Sequence, residues 1–118
     1  MPFTLEFYRA PDGEEPVLDY IRAQVKSHRV KIGRALQYLE DAGYAAKRPL
    51  AEHLGGGIYE LRAAIERHQH RPLYFFHGRS LIVVANAFLK KGEKVPQSEA
   101  DLARRRRADW LERCGGNP

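Results

Sequence analysis

Apolar and polar residues alternate with period two through Phe3-Thr4-Leu5-Glu6-Phe7-Tyr8, and Pro11-Asp12-Gly13 then turns the chain. This predicts a first strand over about residues 3–9. The period then changes. Glu14-Glu15-Pro16 supplies the acids and proline that suit a first helical turn. Leu18, Ile21 and Val25 follow at helical spacing, predicting a helix over about 15–27. A second helix over about 29–43 carries Ile32, Ala35, Leu36 and Leu39 at i, i+3, i+4 and i+7, and Gly43 stops it. The two helices are expected to form a hairpin over one face of a sheet.

Residues 47–57 read as a loop, with Lys47-Arg48-Pro49 at one end and Gly55-Gly56-Gly57 at the other. The glycines lack the lysine and hydroxyl residue of a phosphate-binding loop. Three strands are predicted next. Tyr59, Leu61, Ala63 and Ile65 alternate with Glu60 and Arg62, which places those two on one face, away from the core. Leu73 to Phe76 is wholly apolar, with Arg71 opening the strand. Leu81 to Leu89 is a nearly continuous apolar run, the pattern of a central strand buried on both faces. Short turns near Arg67-His68-Gln69 and Gly78-Arg79 make the three a meander. After the basic loop Lys90 to Pro96, Ser98 and Asp101 suggest a capping box and a last helix over about 98–113, with Trp110 anchoring it to the sheet. The predicted order is β-α-α-β-β-β-α, an α+β fold in which a small antiparallel or mixed sheet meets an N-terminal helical hairpin and a C-terminal helix.

The length of 118 residues corresponds to one domain, 1–118. A lone cysteine, Cys114, forms no internal disulfide or cysteine cluster, as expected in a reducing compartment. The N-terminal residues do not resemble a signal peptide, and no apolar run is long enough to span a bilayer. A cytoplasmic location without membrane association is therefore expected. The net charge of +5 is unevenly placed. Residues 1–59 hold eight Lys/Arg and eight Asp/Glu, and residues 60–118 hold twelve and seven. Such asymmetry points to a polyanionic partner, nucleic acid or an acidic protein.

The candidate chemistry lies in cations attached to strands. Arg62 follows Glu60-Leu61, Arg71 opens the next strand, Lys90 and Lys91 close the last one, and Lys94 follows in the loop. In an antiparallel meander these converge on one sheet edge, where several cations can stabilise a phosphorane and a lysine crowded by other cations can act as a general base. Lys and Arg at strand ends also serve solubility and edge protection. Arg104 to Arg107 spread around their helix and do not form a stripe, so they suit either a solvated surface or RNA contact. Asp101–Arg105, Arg105–Asp109 and Asp109–Arg113 are spaced to pair. His68 and His70 share a strand face without a nearby third ligand, so no metal or other cofactor is expected.

Three segments in order, Ile58-Tyr59-Glu60-Leu61-Arg62, Arg71-Pro72-Leu73-Tyr74-Phe75-Phe76 and Ala87-Phe88-Leu89-Lys90-Lys91-Gly92-Glu93-Lys94-Val95-Pro96, resemble the phage-derived HigB-like branch of the RelE/ParE toxin superfamily. The resemblance is strongest over about residues 58–105. It implies a RelE-like fold and a type II toxin that cleaves mRNA in the ribosome, with the ribose 2′-hydroxyl attacking the adjacent phosphate and no metal taking part. It further implies that Arg62 and Arg71 stabilise the phosphorane or protonate the leaving oxygen, and that Lys90, Lys91 or Lys94 acts as base or phosphate clamp. Lys94, Arg104 and Arg105 are the expected RNA contacts. The expected partners are mRNA, the ribosome and a helix-turn-helix antitoxin. The tyrosine or histidine that other branches carry near the end of the last strand or the C-terminus has no clear equivalent. A ParE-like inhibitor of DNA gyrase, which binds and cleaves nothing, and a basic interaction module are the alternative readings.

Overall fold

A computed structural model describes residues 3–115. Met1, Pro2 and the terminal Gly116-Asn117-Pro118 lie outside the described residues. The chain runs through β1 (Thr4–Phe7), α1 (Pro16–Arg22), α2 (Lys26–Ala42), β2 (Ala51–Gly55), β3 (Ile58–Leu61), β4 (Ala63–Ile65), β5 (His68–His77), β6 (Leu81–Lys90) and α3 (Gln97–Trp110), which ends in a wide π-helical turn, Leu111–Gly115. The fold is α+β. Its sheet runs β1-β6-β5-β3-β2, with β4 continuing the line of β3 against β5. Only the β1–β6 pair among these is parallel, so the sheet is mixed.

The apolar run Leu81–Leu89 becomes the central strand β6, with Ile82 to Ala85 inaccessible to solvent, as its composition predicts. Two cores form, one on each face of the sheet. Ile32, Leu36 and Leu39 of α2, with Val17 of α1, cover Leu61, Ala63, Tyr74, Ile82 and Val84. On the opposite face Ala103 and Trp110 of α3 cover Ile58, Leu73, Phe75, Val83 and Ala85. The face expected to lie away from the core is thus also covered, by a helix some forty residues further along.

Several boundaries differ from expectation. The predicted loop 47–57 contains β2, which pairs with β3 through the glycine turn. Gly55, Gly56 and Gly57 all take positive φ (99°, 61° and 79°), so the glycines that read as loop close a hairpin. Arg71 lies inside a longer β5 and does not open it. Val25 is exposed at the entrance to α2, and Val17 takes the buried place in α1. Pro96 is the cap of α3, with no side-chain cap bond, so Ser98 and Asp101 form no capping box. Trp110 does anchor α3: it is buried, packs edge-on against Phe75, and donates from Nε1 to Glu6 Oε1 at 3.0 Å. No helix among the described residues is long and apolar enough to cross a membrane.

Candidate functional site

The strand register brings the predicted cations to one end of the sheet. Glu60 pairs with Leu73 and Ala63 with His70, so Arg62, between β3 and β4, stands opposite Arg71. Gln69 pairs with Lys90 and Arg71 with Phe88. Alternation sends Glu60, Arg62 and Arg71 to the face that α3 covers further along. Arg62 interrupts the β3–β4 line, and its backbone N–H donates to Leu50 O at 2.8 Å.

Two carboxylates hold the arginines. Glu60 is buried, with Oε1 3.0 Å from Arg62 Nε and Oε2 3.5 Å from Arg71 Nε. Arg62 Nη2 also donates to Glu52 Oε2 at 2.6 Å, and Nη1 to Pro49 O at 3.2 Å. Arg48 pairs with Glu52 from the outer side. Arg71 has a side chain only 7% exposed and donates to His70 O and Gln69 Oε1 at 3.1 and 2.9 Å. Burial lowers the pKa of Arg71 from its ordinary value, and Glu60 opposes that shift. Hydrogen bonding from Arg48 holds the Glu52 carboxyl below the usual glutamate range, with the charge of Arg62 acting in the same direction. The result is an alternating chain, Arg71–Glu60–Arg62–Glu52–Arg48, in which each acid touches two bases.

Beside this chain opens a concavity of about 300 Å³ between the end of the sheet, the 93–95 loop and the first turns of α3. Arg62, Lys90, Lys94 and Arg104 line it together with Glu52, Glu60 and Glu93. Four of the seven predicted cations therefore meet at one opening. Arg71 does not line it; its Nε stands 3.5 Å from Glu60 Oε2, whose residue does. Lys91 and Arg105 are exposed and do not line it. The four arginines of α3 diverge as helical geometry requires. Arg104 turns to the concavity. Arg106 donates to Ala85 O at 3.0 Å, Arg107 lies over the Phe75 ring, and Arg105 faces solvent. Of the expected helical ion pairs only Asp109–Arg113 forms; Asp101 meets Arg104 instead.

Sequence reasoning missed the acids. Glu60 was visible on the correct face, but its role as the link between two arginines depends on a register that the sequence does not print. Glu52 was hidden in a segment read as loop. As it stands, the arrangement sets a guanidinium held by two carboxylates, Arg62, beside three further cations, Lys90, Lys94 and Arg104, at one opening.

A family model described as Phage derived protein Gp49-like (DUF891) matches residues 19–108. Among curated proteins, none matches.

Proposed function

The chain belongs to the phage-derived Gp49-like family, and from that premise we propose that it is the toxin of a type II toxin–antitoxin pair, a ribosome-dependent mRNA endonuclease. The observation that carries this reading is the gathering of Arg62, Lys90, Lys94 and Arg104 around one concavity. Lys90, Lys94 and Arg104 grip RNA phosphates, and exposed Lys91 and Arg105 follow the backbone beyond the groove. Arg62, clamped by Glu60 and Glu52, faces the scissile phosphate with its orientation already fixed, which is the form of electrostatic stabilisation that costs no reorganisation. Arg71 acts through Glu60 and is a positioning residue. In the step proposed, a ribose 2′-oxygen attacks the adjacent phosphorus and gives up its proton. The bond from phosphorus to the 5′-oxygen breaks, and that oxygen takes a proton. The products are a 2′,3′-cyclic phosphate and a 5′-hydroxyl. The lysines of the 90–94 segment are the candidates for proton transfer.

One observation favours a second reading. Arg62 and Arg71 are both engaged by internal carboxylates, as in a scaffold that presents a binding surface. On that reading the chain is a ParE-like inhibitor that binds DNA gyrase and cleaves nothing. Mapping the 5′ ends of cellular mRNA after induction separates the two. New ends inside translated regions, absent from an Arg62→Ala strain holding equal folded protein, are expected of the nuclease. Growth arrest with intact mRNA and lost supercoiling activity identifies the gyrase inhibitor. A helix-turn-helix antitoxin with an acidic segment is the proposed partner, laid over the same concavity.

A further inference from the structure

Strand β5 serves both faces of the sheet at its first turn. Gln69 and Arg71 go to the face of the concavity, and His68 and His70 go to the other, where α1 and α2 pack. There His70, almost wholly buried, is bonded at both ring nitrogens. His28 Nδ1, from the first turn of α2, lies 2.8 Å from His70 Nε2, and Tyr20 Oη, from α1, lies 2.7 Å from His70 Nδ1. The ring of His68 stands edge-on to His28, with centroids 4.8 Å apart. Glu66, in the turn between β4 and β5, takes a positive φ of 55°, which a non-glycine residue seldom adopts. One ligating atom from each of His28, Glu66 and His68 lies within 4.8 Å of the others.

We infer that His28, Glu66 and His68 form a binding site for a divalent transition metal, zinc first among them, that fastens α2 to the β4–β5 turn. Two imidazoles and a carboxylate are the donors zinc takes when a fourth position is left to water. Tetrahedral bonds of about 2.1 Å place ligand atoms roughly 3.4 Å apart. His68 and Glu66 are exposed and close that gap by side-chain rotation, while buried His28 stays fixed. The hydrogen-bond chain supplies the orientation that metal-bound histidines require. With His28 donating from Nδ1 to His70, and His70 donating from its own Nδ1 to Tyr20, the Nε2 of His28 carries a free lone pair. The opposite run of donors would put a proton there, so binding selects one tautomer along the whole chain. The site is distinct from the concavity, from which the sheet separates it.

The test uses the full, untagged chain titrated with zinc by calorimetry and with cobalt(II) by visible absorption. One equivalent of zinc is expected, with the band of four-coordinate cobalt and a melting temperature that rises with zinc concentration. His68→Ala and Glu66→Gln change exposed side chains, so both variants should stay folded by circular dichroism while each loses tenfold or more in affinity. Tyr20→Phe removes only a hydroxyl and should weaken binding about tenfold by releasing the relay. No zinc bound by the wild-type chain, or binding undiminished in the His68→Ala/Glu66→Gln double variant, overturns the site. Unchanged affinity in Tyr20→Phe overturns the role of the relay.

Discussion

Glu60 sits with its side chain 2% exposed between two guanidinium groups, and Arg71 beside it is 7% exposed. A buried pair of this kind adds little over an apolar substitute, but removing one member strands the other. Glu60→Gln should therefore destabilise the fold by about 3–5 kcal/mol, read from urea unfolding. Arg62 is 27% exposed, and solvent screens it, so its loss weighs less. The strand pattern alone placed Arg62 on an open face, where alanine costs within about 1 kcal/mol. With buried Glu60 left short of a partner, about 1–3 kcal/mol is expected instead. Arg62→Lys should recover only part of this, because an ammonium cannot serve Glu60, Glu52 and Pro49 O together. A Glu60→Gln protein as stable as the parent would show that the arginines gain nothing from this carboxylate. The alternation around Glu60 was legible from sequence. Its burial was not, because the cover comes from α3 and no local pattern announces a partner so far along the chain.

At the scale of elements, the long apolar stripes identified themselves, and the short or polar pieces did not. The run 81–89 and the stripe of α2 each commit many residues to one periodicity. Residues 51–55 offer five residues with one charge, one histidine and a terminal glycine, too few to reveal β2. The end of α2 shows how one residue settles an element boundary. Gly43 has φ 54°, and a Cβ there would stand 1.9 Å from the Phe3 ring. Gly43→Ala thus combines an unfavourable backbone with a clash that Phe3 must move to relieve. A loss of about 1–3 kcal/mol and a displaced Phe3 are expected, seen in denaturation and in the aromatic circular dichroism. The end of α3 is tied differently. Arg113 and Tyr8 both donate to Asp109, and these bonds pull its carboxyl from an ordinary 3.8 to about 2. The folded pKa is the lower one, so the unfolded chain takes up the proton first. The stabilisation is complete above about pH 5 and fades as pH falls through 3.8 toward 2. Asp109→Asn should melt lower than the parent at pH 6, and the difference should shrink below pH 3. A constant difference across that range would show that the clamp contributes nothing through its charge.

For the whole molecule, the charge asymmetry was visible as a count, and the fold shows where it goes. The second half of the chain carries the excess, and Arg62 between β3 and β4, Lys90 of β6, Lys94 of the following loop and Arg104 of α3 bring part of it to one concavity. Carboxylates from Glu52, Glu60 and Glu93 share that opening, so the groove is less positive than the cation list suggests. If the chain acts on RNA as proposed, that binding should accordingly rest on a few groups. Each phosphate neutralised by a lysine or arginine releases counterions and contributes about −0.7 to the slope of log affinity against log salt on single strands. If Lys90, Lys94 and Arg104 each hold one phosphate, the slope is about −2, with Lys91 and Arg105 adding less because they stand outside the groove. Lys94 is exposed and makes no ion pair among the described residues, so Lys94→Ala should leave the melting temperature unchanged. It should also flatten the slope by about 0.7, whereas Arg105→Ala should change it by less. Fluorescence anisotropy with a labelled single-stranded RNA at several salt concentrations measures all three proteins. Equal losses from Lys94→Ala and Arg105→Ala would mean that RNA meets the surface as a diffuse positive field, and that the concavity is not where the strand lies.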